Sequence, residues 1–429
     1  MAQNLAAEAQ RCLQCANPRC ARSCPVHTSV KEMIGMFRKG ELEPAGRMLF
    51  DNNPLSLICS LVCPHERQCE GGCVLGIKGR PVAIGSIEHY ISELFIDLPT
   101  KRPEKIPGRK VAIIGSGPAG LTIAIILASR GYDITIFEAH DRIGGVLMYG
   151  IPEFRLPKSQ LVKLKRKIRD MGIRIRPNTM IGQVLTVDDL FRDGYKAVFI
   201  GTGVWKPRSL GIPGESLGNV HYAIDYLKNP EVYALGERVC VIGAGNVAMD
   251  AARTAVREGA QLVTVLYRGT EASMSAEPDE IEMARIDGVQ FEFYKSPVRF
   301  TDEGVVCEET RLETDGDGKT RLQPVPGTEK LYPADSVIIA VSQGPRDIIV
   351  STTRGIAIGN RGLVTTDEEG RTTRQGVFAS GDVVTGAKTV VEAVRVSKKV
   401  ADAMDEYVRA RLAEEKSAPQ PAGSDSDAE

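Results

Sequence analysis

The sequence holds a single tryptophan and only 5% aromatic residues, and no apolar run reaches the roughly 20 residues needed to span a bilayer. A membrane span is therefore not expected. Neither charge is in excess: 54 basic and 55 acidic residues leave a formal net charge of -1, which gives no electrostatic footing for nucleic acid as a main ligand. Met1–Gln10 lacks a basic end followed by an apolar core, so it does not read as a secretory leader, and a cytoplasmic location is expected. Structural disulfides are uncommon in that reducing compartment, which bears on the reading of the ten cysteines. One local basic run, Lys158 to Arg176, alternates Lys163, Lys165, Arg166, Lys167 and Arg169 with Leu161, Val162, Leu164 and Ile168. It reads as the solvated face of an amphipathic helix, with a docking surface for an acidic redox partner as the sharper alternative.

What the sequence does contain is two glycine-marked strand-to-helix turns. In the first, the apolar strand Val111–Ile114 runs into Gly115, Gly117 and Gly120 at G-x-G-x-x-G spacing, with Pro118 and Ala119 between them and a helix over Leu121–Ser129. The glycines allow a tight turn, close approach of backbone to pyrophosphate, and close packing of helix on strand. The amides that open the helix then face the phosphates. A second strand, Ile134–Phe137, ends in Glu138, placed to accept from a ribose hydroxyl. The order of strand, turn, helix, strand and acid specifies a Rossmann-type nucleotide site.

The second turn lies about 130 residues later. Val239–Ile242 is the strand, and Gly243, Gly245 and Ala248 fill the small positions, with Asn246 and Val247 between the last two and the helix continuing through Ala251–Arg257. Two such motifs mean two dinucleotides. The next strand, Leu262–Leu266, ends in Tyr267 and Arg268 without an acid, and an arginine there can pair with a 2′-phosphate. Ser342–Pro345, with Gly344, closes this region after the strand Ser336–Val341. Cys240 and Cys307 sit inside strand-like stretches and read as buried, inert thiols; no C-x-x-C partner supports a disulfide reductase. Gly316–Thr320 reads as a hairpin tip.

The other eight cysteines fall between positions 12 and 73: Cys12, Cys15, Cys20 and Cys24, then Cys59, Cys63, Cys69 and Cys73. Short-spaced groups of four thiols, with Pro25 and Pro64 directly after two of them, suit iron–sulfur clusters. Two four-thiolate zinc sites are the rival reading, and disulfides or free thiols a third. Spacing does not say which thiols share a cluster. Val30–Phe37 and Glu41–Leu49 read as short helices, so a small helical domain folded around metal is expected.

These residues carry a family pattern. CLQCANPRCARSCP, NPLSLICSLVCPHERQCEGGC, IGSIEHY, GIPEFRLP, GAGNVAMDAAR and GVFASGDVVTGAKTVVEA, in this order with the first fingerprint, resemble the glutamate synthase small-subunit family. That family of flavin and iron–sulfur NAD(P)H oxidoreductase modules also includes the ferredoxin:NADP transhydrogenase large subunit and the N-terminal half of dihydropyrimidine dehydrogenase. The resemblance implies a multidomain α/β chain: an N-terminal all-helical iron–sulfur domain followed by two Rossmann-like domains, a two-dinucleotide flavoprotein fold. Residues 1–100 would bind two [4Fe-4S] clusters, 101–110 would be a linker, 111–230 and 346–412 two parts of an FAD domain, 231–345 an inserted NAD(P) domain, and 413–429 a disordered acidic tail.

For the clusters, the resemblance implies Cys12, Cys15, Cys20 and Cys73 for one, and Cys24, Cys63, Cys69 and Glu88 for the other, with Cys59 left over and Cys59 or His89 as fallback donors. It assigns the first fingerprint to FAD and places Gly145 and Arg155 beside it. Arg155 has an ordinary salt bridge as its equal alternative. Gly381 and Asp382 would meet the ribityl chain, with Thr389 and Val390 opening a helix, Thr389–Tyr407, toward the flavin; a plain N-cap is the alternative for Asp382. The family carries a second arginine where this chain has Gly269, and proline where it has Ser275, so the nicotinamide cofactor is read as NAD(H) or NADP(H).

The implied chemistry is hydride exchange between nicotinamide and flavin without a catalytic side chain, and one-electron transfer through the clusters to or from a partner. A hetero-oligomeric complex with a catalytic or iron–sulfur subunit, or with ferredoxin, is expected. Only 11 residues precede Cys12, which points toward an aldehyde-, oxoacid-, hydrogen- or ferredoxin-linked complex. The small subunit of NADPH-dependent glutamate synthase is the alternative, and a zinc-bound, non-catalytic redox-sensing or assembly scaffold the competing class.

Overall fold

A computed structural model describes residues 4–314, 320–359 and 361–417. Two compact units emerge: Met1–Ile143 with Val162–Gly203 and Asp347–Glu429, and Gly144–Leu161 with Val204–Arg346.

In the first unit the N-terminal part is helical: α1 (Leu5–Arg11), α2 (Arg19–Ser23), α3 (Val30–Lys39), α4 (Leu42–Asn52), α5 (Ser56–Val62) and α6 (Ile84–Ile96). Apolar residues at helical spacing, among them Val30, Met33, Ile34, Ala45, Leu49, Ile84, Ile87 and Ile91, make one buried core. Then β1 (Lys110–Ile114), α7 (Pro118–Ser129) and β2 (Asp133–Phe137) form the first strand–helix–strand segment. Further along the chain come α8 (Val146–Tyr149), α9 (Lys158–Asp170), β3 (Arg174–Arg176), α10 (Val187–Arg192) and β4 (Ala197–Ile200). The basic run therefore does not form one helix: α9 stops at Asp170, Gly172 takes a left-handed φ of 80°, and Arg174–Arg176 becomes a sheet edge.

The second unit adds β5 (Lys206–Pro207), β6 (Val220–Tyr222), α11 (Ala223–Tyr226), β7 (Arg238–Ile242), α12 (Asn246–Arg257), β8 (Leu262–Tyr267), α13 (Pro278–Ile286) and β9 (Gln290–Phe293). A three-stranded antiparallel sheet follows, β10 (Lys295–Thr301), β11 (Gly304–Thr314) and β12 (Thr320–Pro333), then β13 (Ser336–Ile339) and β14 (Gln343–Gly344). The expected hairpin tip lies outside the described residues, save for Thr320 at the start of β12. The chain then supplies the first unit with α14 (Ile348–Thr352), β15 (Val377–Ala379), α15 (Asp382–Thr385) and α16 (Val390–Ser417). Two boundaries differ from expectation. Val220–Tyr222 pairs with β13, so residues 204–230 belong with the second sheet. The terminal helix runs to Ser417, past the start expected for a disordered tail.

Both parallel sheets share one plan. The first has the order β15-β4-β1-β2-β3 and the second β6-β13-β7-β8-β9. In each, strand order reverses beside the fingerprint strand, at β1/β4 and at β7/β13. Such switch points open a crevice at the carboxyl ends of the strands, where ligands of this architecture sit. The near-continuous apolar burial of β1, β4, β7 and β13 follows from having both sheet faces covered.

Candidate functional site

At the first switch point the two glycine-marked strand ends meet. A Cβ on Gly115, whose φ is 95°, would lie 2.6 Å from the Gly201 carbonyl oxygen, and one on Gly120 would lie 2.1 Å from the Gly115 oxygen. No L side chain fits either place. Gly117 ends the turn, and α7 begins at Pro118 with no side-chain cap on its amides. The opening turn of α7 is thus left to an external acceptor. Gly381, at φ 74°, brings Asp382 to the same corner: its Cβ would touch Ala119 at 3.0 Å. Asp382 opens α15 and accepts from the Lys388 amide at 3.2 Å; burial pushes its carboxyl up to about 6. A half-buried carboxyl with one weak partner has acceptor capacity to spare for a hydroxyl donor. Thr389 caps α16, accepting from the Glu392 amide at 3.4 Å, while Val390 is buried in that helix.

Glu138 stands at the end of β2, as the sequence order predicts, but its oxygens are already engaged. Oε2 accepts from the Ser116 amide at 2.9 Å and from the Ser116 hydroxyl, and Oε1 accepts from the His140 amide at 2.8 Å with the His140 ring 3.1 Å away. Burial raises this carboxyl, yet the hydrogen bonds from His140 and Ser116 outweigh it and leave Glu138 below its usual range. A ribose hydroxyl would have to share or replace one of these donors. Gly145 and Arg155 fall in the second unit. Gly145, at φ 55°, precedes α8, and Arg155 pairs with Asp250 at 2.8 Å and Glu280 at 2.7 Å. The salt bridge is therefore the reading of Arg155 that the structure supports.

The second switch point repeats the first. A Cβ on Gly243, at φ 131°, would lie 2.4 Å from the Ala340 oxygen, Gly245 precedes an uncapped α12, and Ala248 is fully buried. Val247 packs at the edge of the unit's core, and Asn246 Oδ1 accepts from the Glu277 amide at 2.8 Å, tying the turn to the start of α13. Ser275 donates its amide to Ala244 at 3.1 Å, a bond that proline could not make. Arg268 is exposed just beyond β8, and its guanidinium has no partner among the described residues. A second arginine has no room: a Cβ at Gly269 would meet the Ser273 hydroxyl at 2.5 Å and the Tyr267 ring at 2.8 Å. Gly344 lies in β14, paired with Lys206. Trp205, next to it, lies 5.4 Å from the Lys228 ammonium. Cys240 and Cys307 are buried in one core, each pushed up to about 12 by burial, as inert thiols should be.

The helical region gathers its thiols into two neighbourhoods. Cys12, Cys15, Cys20 and Cys73 line one cavity, with Pro18, Val30, Ile34 and Leu75 on its walls. Burial raises the Cys20 thiol, and the nearby Cys73 and Cys12 add to it. In the other neighbourhood contact with Cys59, then burial, then Glu88 and Cys69 hold Cys63 well up. Cys69 is raised by burial first and then by Glu88, Glu70 and Cys24. Glu88 projects from α6 with 7% exposure, and its carboxyl has no hydrogen bond among the described residues; burial pushes it up to about 8. His89 faces elsewhere, with Nδ1 3.3 Å from the Ser60 hydroxyl and Nε2 3.6 Å from Glu93. Among the described residues no three His, Cys, Asp or Glu side chains converge tightly enough to hold a single metal ion.

Comparison with known proteins decides the family. The pyridine nucleotide-disulphide oxidoreductase family matches residues 109–397, and dihydropyrimidine dehydrogenase domain II, 4Fe-4S cluster, matches residues 1–98. The glutamate synthase [NADPH] small chain of Halomonas elongata is 37% identical, over 95% of this chain and 91% of its own. The chain belongs to the glutamate synthase small-chain family. Family membership makes it a flavoprotein oxidoreductase that works as an electron-transfer module with a partner subunit. The NADP(+)-dependent formate dehydrogenase subunit beta of Moorella thermoacetica is 35% identical over 91% of this chain, which spans 60% of that longer protein. FprA of Mycobacterium tuberculosis superimposes with a TM-score of 0.63 at 19% identity, over 75% of this chain and 88% of its own, and shows the shared two-dinucleotide fold.

What sequence reasoning missed in the family fold is Ala340 behind the second glycine turn, and Asp250 and Glu280 around Arg155; Gly201, behind the first turn, is marked in sequence by the strand Ala197–Ile200 and the Gly201-Thr202-Gly203 that follows it. The three that were missed have no local signal, because each acts from another strand or helix. One consequence is directly testable. Gly243→Ala forces a left-handed residue and a backbone overlap at the second fingerprint only, a strain of about 1–3 kcal/mol. We expect kcat/KM for the nicotinamide to fall about 10- to 100-fold with flavin content unchanged, read by steady-state kinetics and absorbance.

Proposed function

We propose that this chain is the small chain of an NADPH-dependent glutamate synthase, taking hydride from NADPH onto FAD and passing electrons through two [4Fe-4S] clusters to a large subunit. The observation that carries the choice of assembly is similarity: the glutamate synthase [NADPH] small chain of Halomonas elongata is 37% identical, with 91% of its length covered.

The residues fit the groups. The uncapped starts of α7 and α12 and their glycine turns suit two pyrophosphates, and Asp382 suits a ribityl hydroxyl. Bound flavin would supply hydride acceptance and one-electron release, and the clusters would supply single-electron relay. This chain's part is placement: the turns would align the cofactors, and the gathered thiols would hold the clusters of the relay. Zinc fits less well. Tetrahedral zinc with bonds near 2.3 Å needs its sulfurs within about 4 Å of one another. Here Cys12, Cys15, Cys20 and Cys73 line a cavity, where a cluster larger than one ion has room. Glu88 supports the second set, since an unbonded, buried carboxyl costs several kcal/mol unless a cation meets it.

Arg268 supports NADPH as the donor. A charged hydrogen bond to a 2′-phosphate contributes about 1.5–3 kcal/mol, so Arg268→Ala should lower kcat/KM for NADPH about 10- to 100-fold and leave NADH nearly unchanged. Equal loss with both cofactors would contradict that role. The assembly itself is tested by mixing the chain with a glutamate synthase large subunit and following glutamate formation from glutamine and 2-oxoglutarate with NADPH. Activity that requires both chains is the expected result; no complex and no turnover would oppose it.

A further inference from the structure

Adjacent residues of α16 hold two different parts of the first unit. Ser397, fully buried, exchanges a 2.8 Å hydrogen bond with Ser380, the residue just before Gly381 and Asp382. Lys398 turns the other way. Its ammonium donates to Asn52 Oδ1 at 2.7 Å, and the Asn52 amide donates to the Val26 carbonyl at 3.1 Å, two residues beyond Cys24. The ammonium is half-buried, which lowers its proton affinity, while Asp402 and the Cys24 sulfur are near enough to act against that shift. The Asp402 carboxylate is itself paired with Arg130 at 2.5 Å. A half-buried lysine held through Asn52 to the turn that follows Cys24 is poorly explained as a surface cation.

Resting on the two-cluster reading above, we propose that Lys398 positions and tunes the site containing Cys24: through Asn52 it fastens the Cys24–Val26 turn to the helix that carries the flavin motif, and it supplies a fixed positive charge there. When one electron leaves reduced flavin for that site, the net charge among Cys24, Cys63, Cys69 and Glu88 becomes more negative by one. A cation alongside favours that state by Coulomb attraction, and net charge is among the factors that set cluster potentials. The site nearer α16 is thereby made the first acceptor, ahead of the Cys12, Cys15, Cys20 and Cys73 set.

The test uses the full chain, purified anaerobically, with iron and FAD counted and its clusters followed by electron paramagnetic resonance during a redox titration. K398Q keeps a donor for Asn52 but loses the charge; K398R keeps the charge. We expect K398Q to shift one cluster signal to lower potential, to leave the other in place, and to be restored by K398R. Loss of iron in K398Q that K398R reverses would show the same dependence on charge. Unchanged potentials with full iron, equal shifts of both signals, or loss of iron in both variants would overturn the assignment. Zinc in place of iron in the unaltered chain would instead remove the two-cluster reading, and this inference with it.

Discussion

Cys63→Ser is expected to remove about half of the iron and to lower electron transfer to any one-electron acceptor at least about 100-fold, while NADPH still bleaches the flavin. The thiol is half-buried beside Cys59, Cys69 and Glu88, so the side chains placed to replace a lost ligand are those already packed around it. Serine keeps the shape but offers a harder oxygen that stays protonated at neutral pH, a poor ligand for iron that prefers thiolate. The glycine turns that place the two dinucleotides are untouched, which is why the flavin half-reaction should survive. Cys59 is the one neighbour able to take over, and the Cys59→Ser/Cys63→Ser pair closes that route. Iron analysis and stopped-flow absorbance read both parts. A full iron complement in the double variant would show that these thiols are not ligands.

Arg155→Met is expected to destabilise the second unit by about 3–5 kcal/mol, because it leaves Asp250 buried without its bidentate partner. Asp250 is 4% exposed and accepts from Arg155 at 3.0 and 2.8 Å. Burial already pushes Asp250 up to about 6, with Arg155 pulling against it. The sign follows from the raised value. Asp250 contributes stability below its unfolded range near 4, and this is lost as pH rises through about 6. Removing Arg155 raises Asp250 further, so the gap between variant and parent should be small near pH 4 and widen toward pH 8. Glu280 keeps Arg253 at 2.9 Å, which confines the defect to Asp250. The companion Arg155→Met/Asp250→Leu should recover much of the loss, since an apolar pair has no charge to strand. Thermal unfolding across that pH range checks both, and a gap that does not depend on pH would reject the ion-pair account.

The sequence made the two fingerprints legible because their cause is local. A buried apolar strand, a glycine turn and a helix follow one another within 20 residues, and β1 and β7 appear within one residue of the expected bounds. The first helix start was set too late, at Leu121 rather than Pro118, because proline and glycine in the first turn look like loop. Pairing across distance was less visible. Nothing in Val220–Tyr222 announces its place beside β13, and the partners of Arg155 lie 95 and 125 residues away in sequence. The basic run failed as one helix because Gly172 and the alternation of Arg174 and Arg176 around Ile175 suit a turn and an edge strand. The gathering of thiols was the reverse case: spacing alone left it open, the family resemblance implied two sets, and the cavity brings Cys73 beside Cys12, Cys15 and Cys20 from 53 residues beyond the last of them. Glu88 has no sequence signal of its own, and its burial without a hydrogen bond is what marks it.

The measurement closest to the central claim is an anaerobic titration of the purified full chain with NADPH, with metals counted and absorbance and paramagnetic resonance recorded together. One FAD and about eight irons per chain are expected, with flavin bleached by NADPH and reduced-cluster signals that grow as electrons pass on from the flavin. Zinc in place of iron, or a flavin that bleaches without any cluster signal while low-potential chemical reductants also elicit none, would contradict it.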